Sequence, residues 1–409
     1  MRVVTTSAAL GDLARDLASE SRIALDLEFN GMHAYRARVC TVQLAGASTD
    51  ASTPSSVSAS TLPAVVDALA VDITPLAHLL GEHGPVKIVH DVGFDARMLA
   101  EAGIAVGNVH DTAIAARMLG RAATGLATLL ASDCGITISK EMQQHDWGKR
   151  PLDARALAYL GSDVAHLATL HDGLWSAVLT AGIEPEVLEE TRYRIASAIE
   201  SARAGDPRPP YVRLKGIERL HGPELAITRG LAAVREREAE RADVPPYKVL
   251  SADAIYAIAR SRPATSALLR RIRGVPSALR EPLALELLRA VREGLEAGSI
   301  PEAERVWFER PRVPAEEAKA RRVREARLTA WRKRAAGERK VDEQAVLPGH
   351  CLKDIALRNI AAVDELASVP GLGAFRAVRD GDAIVHALHT ETPVPVATDD
   401  GSAADDELP

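Results

Sequence analysis

Cysteine is scarce in this chain: Cys40, Cys134 and Cys351 are the only three in 409 residues. They are far apart and odd in number, which excludes a disulfide framework and a zinc ribbon and leaves a reducing cytoplasm as the default setting. Long apolar runs are missing too. The best candidate, residues 63–80, carries Asp67, Asp72 and His78, so no membrane-spanning helix is expected. The first residues, Met1 to Ser7, lead into a segment with Asp12, Arg15 and Asp16 and lack the apolar core of a signal peptide. What remains is ordinary globular material, 47% hydrophobic and 26% charged, which excludes a wholly disordered chain. At roughly 150 residues per domain, the length allows two or three domains.

The net charge of −6 conceals an asymmetry. Residues 1–200 carry 15 Lys and Arg against 24 Asp and Glu, whereas residues 201–390 carry 35 against 26. Residues 391–409 add six acids and no base. An acidic front half suits cations and a basic back half suits a polyanion. The bland alternative is charge that merely coats solvated helices.

Hydrophobic periodicity divides the front half into strands and helices. Ile23, Leu25, Leu27 and Phe29 fall on one face of a strand, with Ala24, Asp26 and Glu28 on the other. Further strands are expected at residues 39–44, 63–67 and 86–90. Residues 46–61 read as a Ser/Thr-rich loop, residues 75–80 as a helix, and Asp91 as the N-cap of a helix through Ala100. This order argues for an α/β domain with a mixed sheet flanked by helices. After residue 111 the pattern is helical almost throughout.

Residues 205–210, Gly-Asp-Pro-Arg-Pro-Pro, signal a linker. Beyond it the chain repeats itself at a constant offset of 97 residues: Arg235 and Arg237 recur as Arg332 and Arg334, Val249-Leu250 as Val346-Leu347, Ala259 as Ala356, Gly274 as Gly371. Two copies of one all-α domain are expected. The domain limits that follow are 1–204, 211–295 and 315–390, with a disordered acidic tail over 391–409.

Three segments hold candidate chemistry. Asp26 and Glu28, at i and i+2 on a strand, share a face about 6.6 Å apart at ~3.3 Å rise per residue. Hard divalent cations such as Mg²⁺ or Mn²⁺ take such oxygen ligands. Taken alone, the pair is more often explained by a solvated strand face. Asp95 adds a third carboxylate in the first turns of a helix, where the dipole favours an acid whatever its function. Tyr159 and Asp163, at i and i+4, share a helical face with apolar neighbours. A buried Tyr–water–Asp pair is the structural alternative there.

Taken in order, these segments resemble the exonuclease motifs of the DEDD superfamily, with Tyr159-x-x-x-Asp163 in the form that marks its Tyr subclass. The resemblance is closest to the ribonuclease D family. Lys140 to Leu152 is similar to that family's K…DW..RPL signature, and Asp111 to Leu119 to its DT…AR.L helix. The 97-residue repeat resembles the HRDC domain, a small helical nucleic-acid-binding module. Leu27 stands where Thr is common in the family, and Asp91 where Ala or Asn is more usual.

The resemblance implies a ribonuclease H-like sheet and a metal-dependent 3′-5′ exoribonuclease that trims structured RNA such as tRNA precursors and releases nucleoside 5′-monophosphates. It implies two divalent ions, Mg²⁺ or Mn²⁺. Asp26, Glu28 and Asp163 would hold the ion that activates water, Asp26 would bridge to the second, and Asp95 would support that second ion. Tyr159 would orient the attacking water. Phe29, His90 and Phe94 are candidates for contacting the terminal nucleotides. A DNA 3′-5′ exonuclease and a nuclease-inactive RNA-binding adaptor are the alternatives. RNA affinity is expected to rest on residues 319–340, where ten Lys and Arg face two Glu and about half could reach phosphates at once.

Overall fold

The computed structural model describes residues 1–47, 62–139, 141–309 and 313–390. The acidic tail, Lys140 and all but the first two residues of the Ser/Thr-rich loop lie outside the described residues.

The front half contains β1 (Arg2–Val4), α1 (Ser7–Ala18), β2 (Arg22–Phe29), β3 (Val39–Gly46), β4 (Ala64–Asp67), α2 (Ala77–Leu80), β5 (Val86–Val89), α3 (Val92–Glu101), β6 (Val109–Asp111) and α4 (Thr112–Met118). Four more helices follow: α5 (Leu126–Leu129), α6 (Ala154–Ala165), α7 (Leu167–Ala181) and α8 (Glu184–Ala204). The strands form one sheet in the order β1-β4-β3-β2-β5-β6. β2 is antiparallel to β3 and parallel to β5, so the sheet is mixed, as its pattern suggested.

The alternation in β2 has the expected consequence. Ile23, Leu25 and Leu27 bury into one core with Leu10, Leu13 and Leu17 of α1. The other face is covered too: Ala24 packs with Val164 and Leu167 at the end of α6 and the start of α7. Asp26 and Glu28 therefore lie on a face half-roofed by a helix rather than on a solvated one. In β3 every residue from Val39 to Ala45 is buried, as befits an interior strand covered on both sides.

Three elements differ from the pattern reading. β1 and β6 are three residues each, too short for periodicity to announce, and exist through parallel pairing with β4 and β5. Helix α1 had a legible signal, with Leu10, Leu13 and Leu17 on one face and Thr6 accepting from the Ala9 N–H at 3.3 Å. Asp91 does occupy the N-cap position of α3, but it is left-handed (φ 66°) and its side chain caps nothing. Asp111 does the capping instead.

The two repeats correspond at the 97-residue offset over their first three helices. After these the second has a 3-10 turn, Val363–Ser368, in place of a short helix, and its last helix starts four residues earlier. The first has α9 (Gly222–Ala242), α10 (Pro246–Val249), α11 (Ala252–Ser261), α12 (Ser266–Leu269) and α13 (Glu281–Ala297); the second has α14 (Ala315–Arg339), α15 (Glu343–Val346), α16 (Gly349–Arg358) and α17 (Ala374–Thr390). Even the left-handed helix ends correspond: Asp243 (φ 47°) to Lys340 (φ 56°), and Arg262 (φ 46°) to Asn359 (φ 51°). Each repeat has its own apolar core.

Both repeats dock on the front domain. The first grips the loop after β2: the Tyr35 hydroxyl donates to Glu236 at 3.2 Å, the Tyr35 N–H to Asp243 at 3.1 Å, and the Tyr247 hydroxyl to the Met32 carbonyl at 3.1 Å. The second sits on α8 through Arg376, 1% exposed, which donates to Glu186 at 2.9 Å and Glu190 at 3.1 Å. Glu189 of α8 accepts from the first free N–H groups of α17, Ala374 and Phe375, both at 3.1 Å.

Candidate active site

β2 carries Asp26 and Glu28 to the edge of a cleft of about 380 Å³, and α6 lays Tyr159 and Asp163 across it. Carboxylate oxygens of Asp26, Glu28 and Asp163 all lie within 4.8 Å of one another. A bulge follows immediately, where the register with β3 shifts between Glu28 and Phe29. Bulges re-aim side chains at the rims of sheets, and this one sits at the last carboxylate of the strand. On α6, Asp153 accepts from the Ala156 N–H at 2.7 Å, and this cap fixes where the helix starts and so where Tyr159 and Asp163 fall.

Asp95 comes from the first turn of α3 and stands outside that close triad. It is 9% exposed and feels the charge of Asp26 and Glu28. Its helix is held by Asp111, fully buried, whose carboxylate accepts four backbone N–H groups: Asp91 at 3.2 Å, Val92 at 2.8 Å, Ala113 at 2.8 Å and Ile114 at 3.0 Å. One side chain thus closes the N-termini of both α3 and α4.

The electrostatics of the cluster are unfavourable as it stands. Burial, opposed by the Leu27 N–H, pushes Asp26 up to about 7. Burial and the charges of Asp26 and Asp163 push Glu28 up to about 9. Burial and Asp26 push Asp163 up to about 8, and burial with the charges of Asp26, Glu28, Asp111 and Asp91 holds Asp95 well above the usual range. No Lys or Arg among the described residues forms an ion pair with any of the four. Acids crowded in this way want positive charge, and an all-oxygen donor set suits a hard divalent cation. The residues fit such an ion. Burial and the same carboxylates also raise the Tyr159 hydroxyl, which stays protonated.

The three candidates for nucleotide contact are placed differently. Phe29 and Phe94 meet edge to face with centroids 4.9 Å apart, and Phe94 is half exposed. His90 points its Nδ1 at the Thr112 hydroxyl, 2.9 Å away, beside Thr124. None of the three lines the cleft itself. Its walls come from Gly125, Leu126, Ala127, Ile138 and Ser139, which no motif marks, and from Gln143 of the Lys140–Leu152 segment.

Comparison with known proteins identifies the family and the fold. Residues 1–179 match the 3′-5′ exonuclease family, and residues 224–291 and 322–388 each match the HRDC domain. Over 316 residues the chain is 30% identical to ribonuclease D of Acidiphilium cryptum, spanning 76% of this chain and 75% of that protein. Over 310 residues it is 30% identical to ribonuclease D of Gluconacetobacter diazotrophicus, spanning 73% and 74%. Its fold is similar to Escherichia coli RNase D, an exoribonuclease involved in structured RNA processing, with a TM-score of 0.66 at 22% identity over 95% of this chain and 98% of that one. A protein from Bifidobacterium adolescentis gives a TM-score of 0.75 at 21% identity over 95% and 97%.

Proposed function

The chain belongs to the ribonuclease D family and is a 3′-5′ exoribonuclease; from there we propose that it trims the 3′ ends of structured RNA such as tRNA precursors, releasing nucleoside 5′-monophosphates by two-metal-ion hydrolysis. The observation that carries the reading is the meeting of Asp26, Glu28 and Asp163 within 4.8 Å in a cleft that Tyr159 also lines.

A pair of Mg²⁺ or Mn²⁺ ions supplies the charge that stabilises the attacking and leaving oxygens of an in-line displacement. Asp26, Glu28 and Asp163 would hold one ion, Asp26 would reach the second, and Asp95 would support that second ion directly or through water. Tyr159, kept protonated, would orient the attacking water one helical turn from Asp163. The Phe29–Phe94 pair and His90 would meet the terminal nucleotides from outside the cleft, Phe94 through its exposed face.

Residues 1–204 would form the exonuclease domain, and 211–295 and 315–390 the two HRDC domains that carry the RNA. No helix of the described residues is long and apolar enough to cross a membrane, and the proposed setting is the cytoplasm.

The test uses RNA and DNA of one sequence, labelled at the 5′ end, with Mg²⁺ or Mn²⁺ present. RNA should shorten from its 3′ end and yield nucleoside 5′-monophosphates. Equal or faster shortening of DNA would favour the DNA exonuclease, and shortening of neither would favour an inactive adaptor.

A further inference from the structure

The segment from His145 to Leu152 belongs to a signature motif, yet no residue of it has a part in the chemistry above. Its geometry supplies one. All five guanidinium N–H groups of Arg150 have acceptors. Nε and Nη2 donate side by side to Asp67 at the end of β4, each at 2.6 Å. Nη2 also donates to the Cys40 carbonyl of β3 at 2.9 Å, and Nη1 to the carbonyls of Trp147 at 2.8 Å and Lys149 at 2.7 Å. One side chain therefore ties the turn that carries Trp147 to two strands of the sheet. A lysine could not reproduce this, having no planar fork.

The turn delivers a large side chain to a sensitive place. Trp147 is 1% exposed, and its ring lies 5.8 Å from that of Tyr159. Its indole N–H is buried without a hydrogen-bond acceptor. Buried donors of that kind are rare and want an explanation. The Glu28 carboxylate lies within its electrostatic reach, with no hydrogen bond closed between the two.

We propose that Arg150 and Trp147 are positioning residues: Arg150 pins the turn to β3 and β4, and the turn seats the Trp147 indole against both Glu28 and Tyr159, holding the acid and the hydroxyl where the reaction needs them. The inference rests on the reading of Glu28 as a cation ligand and Tyr159 as the group that orients water. Partners that hold a ligand in place typically change metal affinity or activity 10- to 100-fold when removed.

Trp147→Phe keeps an aromatic ring and deletes the N–H; Arg150→Lys keeps the charge and deletes the fork. Both are made in the full chain, with three readouts: Mn²⁺ affinity by calorimetry, kcat and KM on an oligoribonucleotide, and thermal unfolding. Trp147→Phe should weaken Mn²⁺ binding about tenfold and lower kcat by about tenfold or more, with KM within about twofold. Arg150→Lys should show the same pattern, and the double variant should be little worse than the poorer single one, because both act through one turn. Mn²⁺ affinity and kcat within about twofold of the parent in Trp147→Phe would overturn the inference, whatever happens to the unfolding temperature. The unaltered protein separates the two readings: if it binds no Mn²⁺, the cation site itself falls and the inference falls with it.

Discussion

Tyr159 has one atom that phenylalanine lacks, and the proposed mechanism assigns that atom to the attacking water. Tyr159→Phe should therefore lower kcat by about a hundredfold while KM changes little, since the loss is felt in the transition state. Steady-state kinetics on a short oligoribonucleotide decide it; an unchanged kcat with a raised KM would make Tyr159 a binding residue. At this scale the sequence was informative wherever a residue belongs to a spaced motif. Asp26, Glu28, Asp95, Tyr159 and Asp163 are all named by their patterns, and the structure brings Asp26, Glu28, Tyr159 and Asp163 to one cleft with Asp95 within reach of their charge. What the patterns could not show depends on tertiary approach. Asp111 gathers N–H groups from two helix starts, one of them twenty residues earlier in the chain. Gly125 and Ser139 line the cleft through loop placement alone.

Among elements, the contact of β6 with α7 carries a testable pH dependence. His110 of β6 stacks on Trp175 of α7 at 3.7 Å, and its Nδ1 lies 2.9 Å from Nε2 of His171. His171 in turn meets Arg22 at 3.1 Å and Asp172 at 3.3 Å. Burial, then His171, then Arg22 depress His110 to about 4. The unfolded chain therefore binds a proton that the folded one refuses between about pH 6.5 and 4. The stability that neutral His110 contributes is present above about 6.5 and is lost as the pH falls toward 4. Urea unfolding should show a steeper loss over that window in the parent than in His110→Gln; parallel curves would contradict the assignment. β6 escaped the sequence reading because three residues carry no period, and the histidine stack became visible only when α7 folded back over it. α1 is a different case, since its spacing and cap were both present in the sequence.

For the whole molecule, two dockings and one charge distribution matter. Arg376 is buried against Glu186 and Glu190, 3% and 4% exposed. Arg376→Met would leave Glu186 to Arg379 and Glu190 to Arg194 alone, and losing hydrogen bonds to buried charges typically costs about 1.5–3 kcal/mol. Thermal unfolding should drop accordingly, with the second repeat becoming protease-sensitive; a loss below about 0.5 kcal/mol would show that the repeat is held by other contacts. The basic stretch 319–340 is less available to RNA than its composition suggests. Arg321, Arg324, Arg327, Arg332 and Arg339 all bond within the protein, and Arg334 is engaged as well. Lys319, Arg322, Lys333 and Lys340 are exposed and are the ones placed to meet phosphates. Substituting these four with Gln should flatten the slope of log K against log salt by at most about 3, at about 0.7 per phosphate on single strands. Identical slopes would move the contacts to the first repeat or the exonuclease domain. Charge counts along a sequence overstate a binding face because they cannot show which arginines are already spent on carbonyls and carboxylates.

The carboxylate cluster as a cation-dependent hydrolytic centre is tested most directly by one gel. RNA labelled at its 5′ end is incubated with the protein under chelator, with Mg²⁺ or Mn²⁺ restored, and with the Asp26→Ala variant in the same ions. The ladder should shorten from the 3′ end only when the unaltered protein and a divalent cation are both present, and Asp26→Ala should slow it by roughly a thousandfold, as expected when charge stabilisation worth several kcal/mol is removed. Undiminished shortening in chelator, or by Asp26→Ala, would contradict it.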